Sequence, residues 1–160
     1  MEPETTNRFI CDEMLARLAR WLRAAGYDTG LVANGVDDRD LMAEAISDDR
    51  LILTRDRTFL ERRGAKTHVF HIVSGKLDEQ VREISKALGI DWMKAPFSRC
   101  LLDNTPVRPA NDEEMADLPW SRRSMTGPFT VCPECGRLYW TGGHTRRMRD
   151  RLETWSRGIK

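Results

Sequence analysis

The chain has 160 residues, of which 40% are hydrophobic and 32% charged, and its net charge is +1. That length supports one sizeable core with a small appended module and argues against two full domains. Residues 1–8 are polar and no run of about 18 apolar residues occurs, so neither a signal peptide nor a membrane span is expected, and the chain reads as soluble and cytoplasmic. The small net charge hides an asymmetry. Residues 137–160 carry seven Lys or Arg against Asp150 and Glu153, leaving the other 136 residues at −4. A basic tail on an acidic body suits an anionic partner, nucleic acid being the commonest, or forms a solvated helix face.

Phe9 to Cys11 is a short apolar run ending at Asp12, and from Glu13 to Ala25 the residues Met14, Leu15, Leu18, Leu22 and Ala25 recur at helical spacing. This predicts a strand leading into an amphipathic helix. Gly26 suits the end of that helix, and Tyr27 to Val32 reads as a second strand. A helix from about Asp38 presents Leu41, Met42, Ala45 and Ile46 on one face, and Leu51 to Leu53 is short and wholly apolar, as buried parallel strands are. A short helix at 57–63, a strand at 68–73 and a helix at 77–88 follow. Over residues 1–95 this alternation predicts an α/β fold of three layers, α/β/α, with a mostly parallel sheet. Beyond about Ala95 prolines recur at 96, 106, 109, 119, 128 and 133, helical periodicity lapses, and three of the four cysteines cluster. Residues 96–143 therefore read as a separate module. Residues 144–160 read as a basic helix, with periodicity from His144 to Trp155, that either packs back on the body or projects into solvent.

Open α/β sheets bind ligands at the carboxyl ends of their strands, and three predicted strands lead into aspartates. Asp12 follows the first, Asp37, Asp38 and Asp40 follow the second, and Asp56 follows the third. Carboxylates converging from strand ends suit Mg²⁺ or Mn²⁺. Such an ion activates water, so no Ser or Cys nucleophile is required. Asp is also a preferred N-cap, and Asp37 and Asp40 suit that role best. Asp12 is harder to explain so, because Asp12-Glu13 ends a strand expected at the sheet centre, where uncompensated carboxylates repel. Arg17, Arg20 and Arg23 lie off the apolar stripe of the first helix, near enough to meet a phosphate backbone, and Arg55 beside Asp56 is placed to contact phosphate or pair with a carboxylate.

Cys132-Pro-Glu-Cys135 has the spacing of a metal knuckle, so metal binding outranks disulfide bonding. The first pair is Cys100 with Asp103 at the matching position, an oxygen ligand in place of a thiolate, and His144 is an alternative fourth ligand. Without zinc, packing alone would hold this ribbon-like module. Cys11, in a predicted strand, is a core residue.

The run Phe9 to Thr58, with Ser98-Arg99-Cys100 and Cys132 to Met148, resembles the Mut-seven C-terminal RNase domain family. The carriers are Cys11-Asp12-Glu13-Met14-Leu15, Arg20-Trp21-Leu22-Arg23, Gly26-Tyr27-Asp28-Thr29, Leu53-Thr54-Arg55-Asp56, Phe97-Ser98-Arg99-Cys100, and Cys132-Pro-Glu-Cys135-Gly136 through Tyr139-Trp140 to His144 and Arg147-Met148. The resemblance implies a PIN-like fold, an acidic cluster binding Mg²⁺ or Mn²⁺ for RNA cleavage, and a C-terminal zinc ribbon. It implies Asp12 as the first metal-binding carboxylate, Asp37 or Asp38 as the second and Asp56 as the third, with Asp40 a weaker candidate. Asp103 stands where the family usually has a cysteine.

The resulting expectation is a metal-dependent ribonuclease in which Asp12, Asp38 and Asp56 hold the ion and Arg55 or Arg17 orients substrate phosphate. Arg20, Arg146 and Arg147, with neighbouring arginines of the basic helix, grip RNA. Tyr139 and Trp140 either stack on bases or complete the ribbon core. Cys100, Asp103, Cys132 and Cys135 hold structural Zn²⁺. The rivals are a non-catalytic RNA-binding module and a toxin-antitoxin-like PIN component. RNA is the expected partner, a membrane is not, and no protein partner is readable.

Overall fold

The computed structural model describes residues 7–33, 35–118 and 125–158. In chain order the elements are β1 (Arg8–Cys11), a 3-10 turn (Glu13–Leu15), α1 (Ala16–Ala25), β2 (Asp28–Leu31), α2 (Asp38–Ser47), β3 (Leu51–Thr54), a second 3-10 turn (Arg57–Glu61), α3 (Ala65–His68), β4 (Val69–His71) and α4 (Leu77–Leu88). Then come β5 (Arg108–Pro109), α5 (Asp112–Ala116), β6 (Thr126–Val131), β7 (Leu138–Thr141) and α6 (Gly143–Ser156).

Strands β1 to β4 form a wholly parallel sheet in the order β2-β1-β3-β4. Because side chains alternate across a strand, Phe9, Cys11 and Leu53 join the core shared with α1, α4 and α6, whereas Ile10 and Ile52 join the one shared with α2, α3 and the second turn. Helices thus cover both faces, giving the expected α/β/α layers. The stripe of α1 is fully buried at Leu18, Ala19 and Leu22. Each such leucine contributes about 1.5–3 kcal/mol of burial, and Leu22→Ala is expected to cost about 2–5 kcal/mol. Helix α1 stops at Gly26, whose φ of +101° suits only glycine and where an added Cβ would lie 2.6 Å from the Ala95 carbonyl oxygen. That close approach lets the chain after α4 cross the end of α1, where the Ala95 and Phe97 N–H groups donate to the Ala25 and Ala24 carbonyls at 2.9 and 2.8 Å.

The basic helix packs back on the body. Met148, Leu152 and Trp155 of α6 are buried in the core shared with α1 and α4, and the Trp155 ring meets Trp21 edge-on at 4.8 Å and Trp92 at 5.1 Å. The antiparallel sheet β5-β6-β7 lies in the part of the chain after Ala95, and that part is hydrogen-bonded to the parallel-sheet body. The buried Arg23 donates to the carbonyls of Thr29, Leu101 and Leu102 at 2.8, 3.1 and 3.0 Å. The Asn104 side chain accepts from the Thr29 N–H at 2.9 Å and donates to Asp28 at 2.7 Å.

Several boundaries differ from expectation. The first helix opens as a 3-10 turn because Asp12 caps it at Met14. The second strand starts only at Asp28, since the Tyr27 N–H closes the helix end on the Leu22 carbonyl at 2.9 Å. The predicted helix at 57–63 is the shorter second 3-10 turn, and the strand at 68–73 shrinks to β4, because α3 takes Ala65 to His68 by closing on the Gly64 carbonyl. Helix α5 lies where helical periodicity lapses: it buries no residue and is held by a capping box between Asn111 and Glu114, so no apolar stripe announces it.

Candidate functional site

The sheet order reverses between β1 and β3, since the chain runs outward to β2 and returns across to β3. The crevice at their carboxyl ends is the place where open α/β sheets bind ligands. Asp12 stands there half-buried. Its Oδ1 accepts from the Met14 N–H at 3.0 Å, and its Oδ2 accepts from the Thr54 hydroxyl at 2.5 Å and the Arg55 N–H at 3.4 Å. Thr54 is fully buried, and its oxygen also accepts from the Asp56 N–H at 3.0 Å. One hydroxyl therefore ties both aspartate-bearing segments together. Asp56 is exposed and caps the second 3-10 turn, its Oδ1 accepting from the Thr58 N–H at 2.9 Å and the Thr58 hydroxyl at 2.7 Å. Thr58's donors, aided by the charges of His71 and Arg62, hold the Asp56 carboxyl below its ordinary value. No described residue donates to its Oδ2.

At the start of α2, Asp37 is the N-cap and accepts from the Arg39 N–H at 2.8 Å. Asp38 pairs with Arg62 at 3.6 Å, and Asp40 is exposed in the first turn. Among the described residues, Asp12, Asp38 and Asp56 do not bring their oxygens together as one tight ligand group; the grouping of that kind lies in the ribbon. Arg55 makes no ion pair with a described carboxylate. Its guanidinium lies against Gly75 and donates to the Val73 carbonyl at 3.4 Å, while its Nε is buried without a hydrogen-bond partner. Arg17 and Arg20 are exposed on α1, as are Arg146 and Arg147 on α6. Arg23 departs from the expected exposed face: it is 6% exposed and binds three carbonyls, because the ribbon covers the end of α1.

The second cluster is closed. The ligand atoms of Cys100, Asp103, Cys132 and Cys135 all lie within 4.8 Å of one another. The thiols of Cys100 and Cys135 are 3.8 Å apart, and the Cys132 thiol donates to the Asp103 carboxylate at 3.3 Å. Its two knuckles share one backbone plan. The Asn104 N–H donates to the Cys100 carbonyl at 3.0 Å and the Gly136 N–H to the Cys132 carbonyl at 2.9 Å. The Cys100 N–H donates to Thr105 at 2.8 Å and the Cys132 N–H to Arg137 at 3.0 Å. Asn104 and Gly136 both turn left-handed, with φ of +73° and +74°. Asp103 thus occupies the backbone position of a second cysteine. Burial pushes its carboxyl up, but the Thr105 N–H and the Cys132 and Cys100 thiols hold it down at about 2. Three sulfurs and one carboxylate in a closed set fit a structural zinc ion better than a catalytic one, which would need an open position. His144 is exposed and outside this group, so it is no fourth ligand here.

Residues 7–152 match the Mut7-C RNAse domain. The chain belongs to that family. The Exonuclease mut-7 homolog of Homo sapiens is 31% identical over 131 residues, which cover 79% of this chain but 15% of that protein. No solved structure matches the chain significantly. Membership in the Mut7-C family supports a nuclease-type, hydrolytic function. Among the described residues no helix is long and apolar enough to cross a membrane.

Three contacts in this Mut7-C domain escaped sequence reasoning, those of Thr54, Asn104 and Tyr139. Thr54 gave a faint signal, a hydroxyl ending an apolar strand two residues before an aspartate. Asn104 gave none, since its docking on Asp28 and Thr29 joins distant segments. Tyr139 was read as a stacking or core residue; its hydroxyl accepts from the Leu101 N–H at 3.1 Å and lies 3.0 Å from the Cys100 sulfur, which makes it a strut of the first knuckle.

Proposed function

We propose that this domain is a metal-dependent ribonuclease that hydrolyses RNA phosphodiester bonds at the crevice between β1 and β3. The observation that carries the reading is the bridge from the Asp12 carboxylate through the buried Thr54 hydroxyl to the Asp56 backbone. It holds two carboxylate-bearing segments in register at the switch point of the sheet. The donors fit a hard divalent ion, because Mg²⁺ and Mn²⁺ use one or two protein carboxylates and take the rest from water and phosphate oxygens. Mg²⁺ or Mn²⁺ bound there supplies Lewis acidity and lowers the pKa of water.

Asp12 and Asp56 would hold the ion, with Asp38 or Asp37 joining from α2. Arg55, beside Asp56 and without an ion-pair partner among the described residues, would orient the substrate phosphate through its terminal guanidinium nitrogens, which lie against Gly75. Arg17 and Arg20 steer the backbone along α1, and Arg146 and Arg147 add charge from α6. The domain division that goes with this reading is a nuclease body within residues 1–95, a ribbon within 96–143 and a closing helix within 144–160. Cys100, Asp103, Cys132 and Cys135 would hold Zn²⁺ and fix the ribbon's shape. Incubating labelled single-stranded RNA with the protein in Mn²⁺, in Mg²⁺ and in EDTA tests this, with Asp12→Asn and Asp56→Asn alongside. Cleavage that requires the ion and disappears in both variants is expected. Undiminished cleavage by either variant would overturn the assignment, and binding without any cleavage would favour a non-catalytic RNA-binding module.

A further inference from the structure

Apart from the crevice, nucleophilic side chains gather at Cys100, Asp103, Cys132 and Cys135, and the three sulfurs there are not equivalent. The Cys132 thiol is buried and faces both oxygens of Asp103, at 3.4 and 3.3 Å. The Cys100 thiol is buried too, and it meets the Cys135 sulfur at 3.8 Å. Cys135 is exposed. It lies in the turn between β6 and β7 and lines an open cavity of about 610 Å³ together with Arg50, Arg99 and Glu134. Asp103 decides what these sulfurs do. A carboxylate takes no part in thiol exchange, so the first knuckle holds one sulfur and Cys100 has no thiol partner within its own turn. The sulfur it touches is across the gap between the knuckles, 35 residues on in sequence.

We propose that Cys135 and Cys100 form a reversible disulfide site, at which a small disulfide such as glutathione disulfide converts the metal-free ribbon into a covalently clasped one. The step is a thiol–disulfide exchange. The Cys135 sulfur attacks the incoming disulfide, forming a mixed disulfide and releasing one small thiol. The Cys100 sulfur then attacks the Cys135 sulfur and expels the second. Two protein thiols lose two electrons, the small disulfide gains them, and the two thiol protons leave on the two small thiols. The cavity beside Cys135 gives the reagent room to reach that sulfur, whereas Cys100 and Cys132 are shut off from solvent. Within the second knuckle Cys132 competes for Cys135, but its thiol is engaged by Asp103, so Cys100 takes the bond. The movement still needed to reach bonding distance is small, and the exposed turn that carries Cys135 supplies it. The product ties the two knuckles together as zinc would, and it constrains the unfolded chain by closing a long loop. Nothing in this chemistry depends on the ribonuclease reading.

The test incubates the full chain with a chelator and excess glutathione disulfide, blocks the remaining thiols by alkylation, and maps disulfides by mass spectrometry of a non-reducing digest. A peptide pair joined through Cys100 and Cys135 is expected as the main product, with Cys132 alkylated. Cys132→Ser should form the same link, and Cys135→Ser should not form it. Asp103→Cys, which gives Cys100 a partner in its own turn, should divert Cys100 to the new thiol. In the presence of the chelator, oxidation should raise the melting temperature of the parent by about 5–10 °C and leave that of Cys135→Ser unchanged. A main product linking Cys132 to Cys135, a mixed disulfide at Cys135 that goes no further, or a chain that stays fully reduced would overturn the proposal.

Discussion

The crevice at Asp12 and Asp56 and the cluster at Cys100, Asp103, Cys132 and Cys135 are both built from side chains at the ends of strands and turns, yet they are finished differently. In the cluster four side chains converge within 4.8 Å, and the backbone of each knuckle bonds back on itself. In the crevice the carboxylates are held one by one, each by its own cap, and a single threonine links two of them. The four-membered set offers a full tetrahedron of protein ligands, whereas the crevice offers fewer carboxylate oxygens and would take the rest from water and a phosphate. The same contrast separates structural from catalytic metal centres in general. The contrast matches the proposed division of labour, with the cluster as the structural site and the crevice as the catalytic one.

Crossing the two sites is the strongest way to break this distinction. Asp12→Asn should lower the rate of RNA cleavage by about a thousandfold or more while the thermal unfolding curve stays in place. Cys132→Ser should do the converse: a large drop in melting temperature, and no further drop when a chelator is added. If instead Cys132→Ser abolished cleavage without changing unfolding, the ribbon would belong to the chemistry. Thr54→Val should come next, slowing cleavage about tenfold to a hundredfold, with a stability loss of about 1–3 kcal/mol from the unpaired Asp56 N–H. Comparing kcat with denaturant unfolding separates those effects.

Acid should act on the join between ribbon and sheet. Burial raises the Asp28 carboxyl, but the side chains of Arg50 and Asn104 outweigh it and bring its pKa from 3.8 to about 2. A carboxyl depressed in the folded state stabilises fully above its unfolded value and loses that contribution as pH falls from near 4 toward 2. Its magnitude is about 2 kcal/mol, so Asp28→Asn should flatten the urea-unfolding stability across that window. The smallest expected effect is Asp103→Cys, which completes a four-thiolate set and should tighten zinc about tenfold in competition with a chromogenic chelator. Unchanged zinc affinity would show that the carboxylate is as good a ligand as sulfur in this pocket.

Local pattern carried most of the α/β body. The apolar runs at Phe9 to Cys11 and Leu51 to Leu53 and the stripe of Leu18 and Leu22 encode their own partners, because strand and helix periods survive in a short window. The aspartates were visible as residues at strand ends. Their linkage was not, since it depends on a hydroxyl from a strand 42 residues away in sequence. Arg23 looked like one of three surface arginines because only the folded ribbon covers it. Helix α5 was missed for the opposite reason: it makes its hydrogen bonds at its cap and buries nothing, so hydrophobic period had no information about it.

The cluster of three indoles, Trp21, Trp92 and Trp155, also has an optical meaning. Rings 4.8 and 5.1 Å apart and inclined to one another couple their strong far-ultraviolet transitions, so these tryptophans give an exciton signature in far-ultraviolet circular dichroism. That signature exists only while Trp155 lies between α1 and the segment after α4. The protein therefore carries its own label for the seating of its last helix, one that reports detachment of α6 separately from melting of the sheet.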